Sequence, residues 1–272
     1  MPRHKPVRLA CVRGGFRTYY ILDISFMTIL SLYEKPAVLD RNKHRNFRLK
    51  PSATGLKFVA QTVALPIAPL EIGYAAAEFP IVFAVQEDGT GTPIGLFGVR
   101  EKENLMVDDN GNWLGHYIPG FIRRYPFVLN IDPQNERPFV VFDEAFDGLG
   151  EFADGERLFN EDGSETEFMK ATVGFLSEFS AQSEAAQQFV ANLKKHDLLV
   201  PQQVVFTRTK DETYTLDGFQ IVDEKRLLAL PDAALLELTR SGDLGRIYAH
   251  LLSLNNITRI AQRMKAAAPT KA

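Results

Sequence analysis

Two short stretches of this chain follow one design. "EFPIVF" (residues 78–83) and "RYPFVL" (124–129) each read charged, aromatic, proline, then three apolar residues. Proline locks its own φ and disfavours helix in the residue before it, so a helix stops and a strand starts at that peptide. Each stretch is preceded by a segment that opens on a proline and reads as a short helix: "PLEIGYAAAEF" (69–79) and "PGFIRRY" (119–125). The pattern predicts two helix-to-strand units on one sheet.

The neighbouring segments fill in that sheet. "FRLKP" ends at Pro51, and "FVAQTVALPI" is a β-rich run stopped by Pro66 and Pro69. "IVFAVQ" precedes the turn cluster "EDGTGTP". "IGLFGVR" and "NLMVD" are expected to form a hairpin through "EKE", with a further turn at "DNGN". "FVLNI" and "PFVVFDE" read as strands. "QQVVFTRTKDETYTLDGFQIV" reads as a hairpin turning at Lys210–Glu212.

The second half is mostly helical. "SETE" (164–167) has the form of a capping box, in which the serine hydroxyl and the glutamate carboxylate satisfy free amides at a helix start. Phe168, Thr172, Phe175, Leu176 and Phe179 follow at helical spacing. A second segment carries Ala186, Phe189, Val190 and Leu193. Two helices close the chain, "PDAALLELTRS" and the longer "DLGRIYAHLLSLNNITRIAQRM". The latter is expected to bury Leu244, Ile247, Tyr248, Leu251, Leu254 and Ile257 on one face. The fold class expected is α+β, a mostly antiparallel sheet from residues 44–142 and the 203–222 hairpin. Short crossing helices and the C-terminal helices pack against it.

With 272 residues, 45% hydrophobic and 24% charged, the chain has the size and composition of a soluble globular protein with a real core. Its net charge of −3 argues against a dedicated nucleic-acid binder, which needs excess positive charge to neutralise phosphates. The balance is uneven: residues 1–50 carry a net +8 and the remainder −11. A basic head of this kind could touch RNA or anionic lipid, but basic N-terminal residues are more often simply solvated. The single cysteine, Cys11, permits neither an internal disulfide nor a thiolate zinc site, which fits a reducing cytoplasm. "YYILDISFMTILSLY" (19–33) is interrupted by Asp23, lacks a small-residue cleavage site, and is too short and polar to span a bilayer. Residues 1–26 read as a poorly ordered extension ahead of a natural start at Met27, with residues 27–272 as a single domain.

No reaction signature stands out. An EF-hand register from Asp143 places Ala145 at a ligand position, and the surrounding acid-rich stretch 132–167 reads as a solvated loop. "GTGTPIG" lacks the spacing and the following helix of a phosphate loop. His44, His116, His196 and His250 are scattered, without metal-ligand spacing, and no nucleophile elbow accompanies them. No pattern asks for a cofactor or a metal. The densest mixture of aromatic and cationic groups is Trp113, His116, Tyr117, Arg123, Arg124 and Tyr125. Arginine beside aromatic rings suits a carboxylate, phosphate, sugar or peptide ligand. The plainer alternative places Tyr117, Phe121 and Tyr125 on one buried helical face. Arg123 and Arg124 then turn outward to pair with the acidic 132–167 stretch.

Six motifs in order carry a resemblance: "EFPIVF", "GLFGVREKENLMVDDNGNW", "YIPGFIRRYPFVL", "GERLFNEDGSET", "TYTLDGFQIVDEKRLLAL" and "GDLGRIYAHLLSLNNITRI". Together with "HRNFRLKP" they resemble the bacterial SapC-like family over roughly residues 30–262. The family takes its name from a surface-layer locus, and related genes often lie near outer-membrane receptors and other envelope or nutrient-uptake functions. It supplies no catalytic residues to transfer, and the peptide-transporter permease of the same name is a different protein. The resemblance implies a cytoplasmic accessory or binding protein linked to surface-layer or envelope biology. Its partner would be a protein, peptide or small molecule, and homo-oligomers are compatible with it. The competing class is an enzyme modifying an amino acid, peptide or sugar, anchored by Arg123, Arg124 and His116. An enzyme should gather at least two of His116, Arg123, Arg124 and Tyr125 around one water-accessible pocket.

Overall fold

The computed structural model describes residues 17–21, 32–132, 136–209 and 212–264, with only the backbone at 17–21, 207–209 and 212. Strands β1 (Arg17–Ile21), β2 (Pro36–Val38), β3 (Arg48–Leu49) and β4 (Ala64–Pro66) lead to the one-turn helix α1 (Ile72–Ala75). β5 (Ile81–Val85) and β6 (Gly91–Leu96) precede a second one-turn helix, α2 (Gly120–Arg123), which runs into β7 (Phe127–Ile131). β8 (Pro138–Asp143), β9 (Leu149–Gly150) and β10 (Glu156–Arg157) come before the long helix α3 (Glu167–Lys195). The hairpin β11 (Leu199–Thr209) and β12 (Glu212–Val222) is followed by α4 (Glu224–Leu228), α5 (Asp232–Arg240), α6 (Asp243–Ser253) and α7 (Asn256–Gln262).

The α+β class is as expected, but the strands form three sheets where one was expected. The largest has the order β1-β12-β5-β6-β4, with β11 also on β12; β10-β3-β9 and β2-β8-β7 are the others. Pairing is antiparallel apart from β1 on β12. Within the stretch read as an extension, Arg17 stands opposite Thr213 in that parallel pair. Residues 1–16 and 22–26, with Cys11 among them, and Met27 lie outside the described residues.

Both proline junctions form where the pattern places them, with β5 starting after Pro80 and β7 after the cis Tyr125–Pro126 bond. They serve different sheets. Ile81, Val82, Phe83 and Ala84 are all buried, the mark of a central strand covered on both faces. β7 runs outward to exposed Asn130 and Ile131 at the edge of its own small sheet.

Three further expectations are corrected. The "IGLFGVR"/"NLMVD" hairpin does not propagate beyond a Leu105 N–H bond to the Phe97 carbonyl at 2.7 Å. Buried Asn104 diverts the chain by donating to the Val59 carbonyl at 3.0 Å and accepting from the Met106 amide at 2.9 Å. At α3 the cap is Thr166, whose hydroxyl accepts from the Met169 amide at 3.2 Å. Ser164 is occupied in a turn with Asp162. The two segments foreseen across 168–193 are one helix of 29 residues.

The last helix breaks at Leu254–Asn255, and its inward face is Ile247, His250, Ser253, Asn256 and Ile260, with Tyr248 exposed. The polar residues are inside because they satisfy main-chain groups there. His250 Nδ1 donates to the Ile81 carbonyl at 2.8 Å, and its Nε2 accepts from the Val222 amide at 3.1 Å. Ser253 Oγ accepts from the Ile81 amide at 2.9 Å, and Asn256 donates to the Ala76 carbonyl at 2.8 Å.

Helix α3 joins two parts of the core. Its first half contributes Met169 and Leu176 to the cluster around Phe127 and Phe142. Its second half contributes Phe189, Val190 and Leu193 to the main cluster with Phe83 and Phe97. The six-stranded sheet and the β2-β8-β7 sheet therefore share one helical cover.

Candidate functional site

The six aromatic and cationic residues singled out in the sequence are divided among separate surroundings. Trp113 packs edge-on against Phe97 and Phe79, at 5.6 and 6.4 Å between ring centroids, with its indole N–H buried and unpartnered. His116 leaves 99% of its side chain in solvent, its Nδ1 3.2 Å from Glu78.

Tyr117 and Arg123 gather at Glu71, a residue the sequence reading passed over. The Glu71 carboxylate accepts from the Ala68 amide at 3.0 Å, the Gly120 amide at 2.6 Å and the Tyr117 hydroxyl. Arg123 Nη2 stands 3.5 Å away, and Arg123 Nε donates to the Ile118 carbonyl at 3.0 Å. Burial, and then the bond to Glu71, pushes the Tyr117 hydroxyl well above its ordinary range. This carboxylate holds the entry to α1 and the start of α2 together.

Tyr125 turns to the opposite side. Its ring stacks on Phe58 at 3.9 Å, and its hydroxyl donates to Asp143 at 3.0 Å. Asp143 is fully buried and also accepts from the amides of Glu34, Lys35 and Ala145 at 2.9, 2.8 and 3.0 Å. Within the acidic stretch 132–167, Asp143 is thus an internal anchor. Tyr125 meets it, and the two arginines do not.

Arg124 corrects the outward-facing expectation. It is only 8% exposed, with its guanidinium carbon 4.0 Å from the Phe121 ring centroid and 5.2 Å from that of Phe179. Its Nε and Nη2 are buried and have no hydrogen-bond partner among the described residues. Burial pushes the guanidinium pKa down from its ordinary value, yet arginine remains charged in proteins. Removing such a cation from water without a counter-charge costs several kcal/mol.

Arg124 lines a cavity of about 450 Å³ between the six-stranded sheet, β7 and the middle of α3. Its apolar wall includes Ile67, Phe121, Ile131, Leu176, Phe179 and Ala186. Among the described lining residues there is no Asp, Glu, His, Lys, Cys or Tyr, so Arg124 is the one ionisable side chain. Gln182 also lines the space, with its Oε1 buried and unpartnered. The volume is that of a site for a small organic molecule, largely apolar with a few placed polar groups.

Of the residues foreseen, only Arg124 reaches this cavity. Gln182 and Phe179 were missed as site residues. Phe175, Phe179, Gln182, Ala186 and Phe189 fall at alternating spacings of four and three, so Gln182 interrupts an apolar stripe. That interruption was the available signal.

Among the described residues no three His, Cys, Asp or Glu side chains converge as metal ligands. No helix there is long and apolar enough to cross a membrane. Residues 39–260 match the family model described as SapC. No curated protein and no solved structure matches the chain.

Proposed function

This chain belongs to the SapC family, and on that premise we propose that it is a soluble, cytoplasmic accessory protein serving surface-layer or envelope biology. It acts by binding a small acidic ligand in the cavity at Arg124. One observation carries this reading: a buried guanidinium, unpartnered at Nε and Nη2 among the described residues, lines a mainly apolar cavity whose described lining residues include no acidic side chain. A ligand anion is the group that offsets the cost of that buried charge. General acid–base chemistry needs a proton donor or acceptor of suitable pKa at the reacting atoms. The lining residues provide none, and His116, Arg123 and Tyr125 stand elsewhere, which supports binding over catalysis.

Native mass spectrometry of the full chain isolated from its own cells tests the proposal. Wild type is expected to carry a small-molecule adduct that Arg124→Met lacks. Identical adduct patterns in the two proteins would sink it.

A further inference from the structure

A second surface is built on α1, and none of its residues lines the cavity. Leu70 and Tyr74 stand four residues apart on one side of this helical turn, 66% and 70% exposed. Gly73 beside them is also exposed, and a Cβ added there would meet nothing within 4 Å. Large apolar side chains beside bare main chain leave room for a partner to come close. The platform is also held firmly. Ile72 and Ala75 are fully buried on the inner side of the same turn. The Tyr74 ring stacks on Tyr117 at 5.7 Å between centroids, 18° from parallel, and Glu71 fixes the Tyr117 hydroxyl. Side chains already in place lose little freedom on docking.

Charge selects the partner. Glu71 at the start of this segment and Glu78 just beyond it turn inward, their side chains 10% and 15% exposed. Glu71 accepts from the Ala68 and Gly120 amides, and Glu78 from the His116 amide at 3.1 Å. The arginines stand outward. Arg123 lies at the Glu71 end with 48% of its side chain in solvent. Arg259 of α7 is exposed at the other end, where its Nη1 donates to the Ala77 carbonyl at 3.3 Å. The two acids and two arginines balance in number but not in position, so the positive groups face solvent. A second copy meeting this face across a two-fold axis would set like charges together. A lipid plane would also meet the rest of a chain that carries a net −11 beyond residue 50. A short acidic segment can stay within about one Debye length, roughly 8 Å in physiological salt, of the arginines.

We propose that this face docks an acidic segment of another protein, with a large apolar or aromatic side chain set among its carboxylates. That side chain covers Leu70 and Tyr74, and the carboxylates lie beside Arg123 and Arg259. Gly73 lets the partner's main chain approach. Tyrosine and arginine are among the residue types that dominate such contacts.

Selection of a random peptide library on the full chain, followed by fluorescence anisotropy of the enriched peptides, tests the proposal. The enriched peptides are expected to carry Asp or Glu around a Phe, Trp or Leu. Tyr74→Ala should weaken their binding at least tenfold, and Arg123→Ala several-fold. Exchanging their carboxylates for amides should weaken it at least tenfold. Gly73→Glu is the second variant, because it puts a carboxylate into open space without displacing a neighbour. It too should weaken binding at least tenfold while circular dichroism stays unchanged.

Enrichment of basic or uncharged sequences, or of none, overturns the proposal. So does equal binding of acidic peptides by wild type, Tyr74→Ala and Gly73→Glu. Sedimentation with phosphatidylglycerol vesicles that Gly73→Glu abolishes would assign the face to a lipid surface and overturn it. A wild-type dimer that Gly73→Glu splits would assign the face to a second copy, with the same result. The cavity reading survives any of these outcomes, because Arg124 takes no part in them.

Discussion

Arg123 and Arg124 are consecutive in the chain and end in opposite surroundings. Arg123 leaves about half of its side chain in solvent beside Glu71, whereas Arg124 is 8% exposed and lies against Phe121 and Phe179. The two therefore respond differently to substitution. Arg123→Ala loses a long, half-exposed ion pair and is expected to change stability by less than about 1 kcal/mol. Arg124→Met replaces an unpaired buried charge with an apolar side chain and is expected to stabilise the ligand-free protein by about 1–3 kcal/mol. Urea unfolding of the three proteins checks this. Destabilisation by Arg124→Met would mean that its charge is already compensated inside the fold.

Asp143→Asn tests the buried anchor of β8. The substitution keeps the shape but turns one acceptor oxygen into a donor facing amide and hydroxyl donors. Bonds to charged groups are worth about 1.5–3 kcal/mol each, and an opposed donor adds a desolvation cost. A loss of about 2–4 kcal/mol is expected in urea melts. A change under about 0.5 kcal/mol would show that the four donors find other partners.

His250 sets a pH dependence. Burial pushes its pKa down from 6.5 to about 4, with the bond to the Ile81 carbonyl opposing only in part. Between those values the unfolded chain binds a proton that the folded protein refuses, so stability falls as pH drops through that window. The contribution is present in full above about pH 6.5. Roughly 3 kcal/mol of it is lost by pH 4, at 1.36 kcal/mol per pKa unit. Stability profiles of wild type and His250→Asn, measured from pH 4 to 8, should differ in slope across that window. Parallel profiles would contradict it.

Gly111 is a position where a side chain has no room. Its φ is +87°, and an added Cβ would sit 2.2 Å from the Thr54 carbonyl oxygen, while its own carbonyl accepts from the Leu56 amide at 2.8 Å. Gly111→Ala combines left-handed strain with a backbone clash and is expected to cost more than about 2 kcal/mol. Thermal unfolding reads this directly, and an unchanged midpoint would refute it.

What could be read from the chain alone follows the range of the forces involved. Proline acts on its own peptide, so the strand starts after Pro80 and Pro126 were legible. Which sheet each strand joins depends on the faces that distant segments cover, and nothing local separates "IVF" from "FVL". The inward turn of His250 and Ser253 was hidden for a similar reason. Helical periodicity places apolar residues inside, and these two are inside to bond the main chain of Ile81, 169 and 172 residues away. At the site, α2 is one turn long, too short for periodicity to say which of two adjacent arginines enters the interior. Gln182 was readable as a polar break in an apolar stripe; that it faces a cavity was not.

Helix α3 gives the cavity a mechanical setting. At 1.5 Å per residue its 29 residues make a beam about 44 Å long, anchored at one end beside Phe142 and at the other beside Phe83. The cavity sits under the middle of the span, where Leu176 to Gln187 cross it. A beam pinned at both ends is least supported at midspan. A guest bound there, as proposed, would work as a strut, its arrival felt at both anchorages together. Hydrogen exchange along α3 would then slow on loading across its whole length, including turns that the ligand never touches.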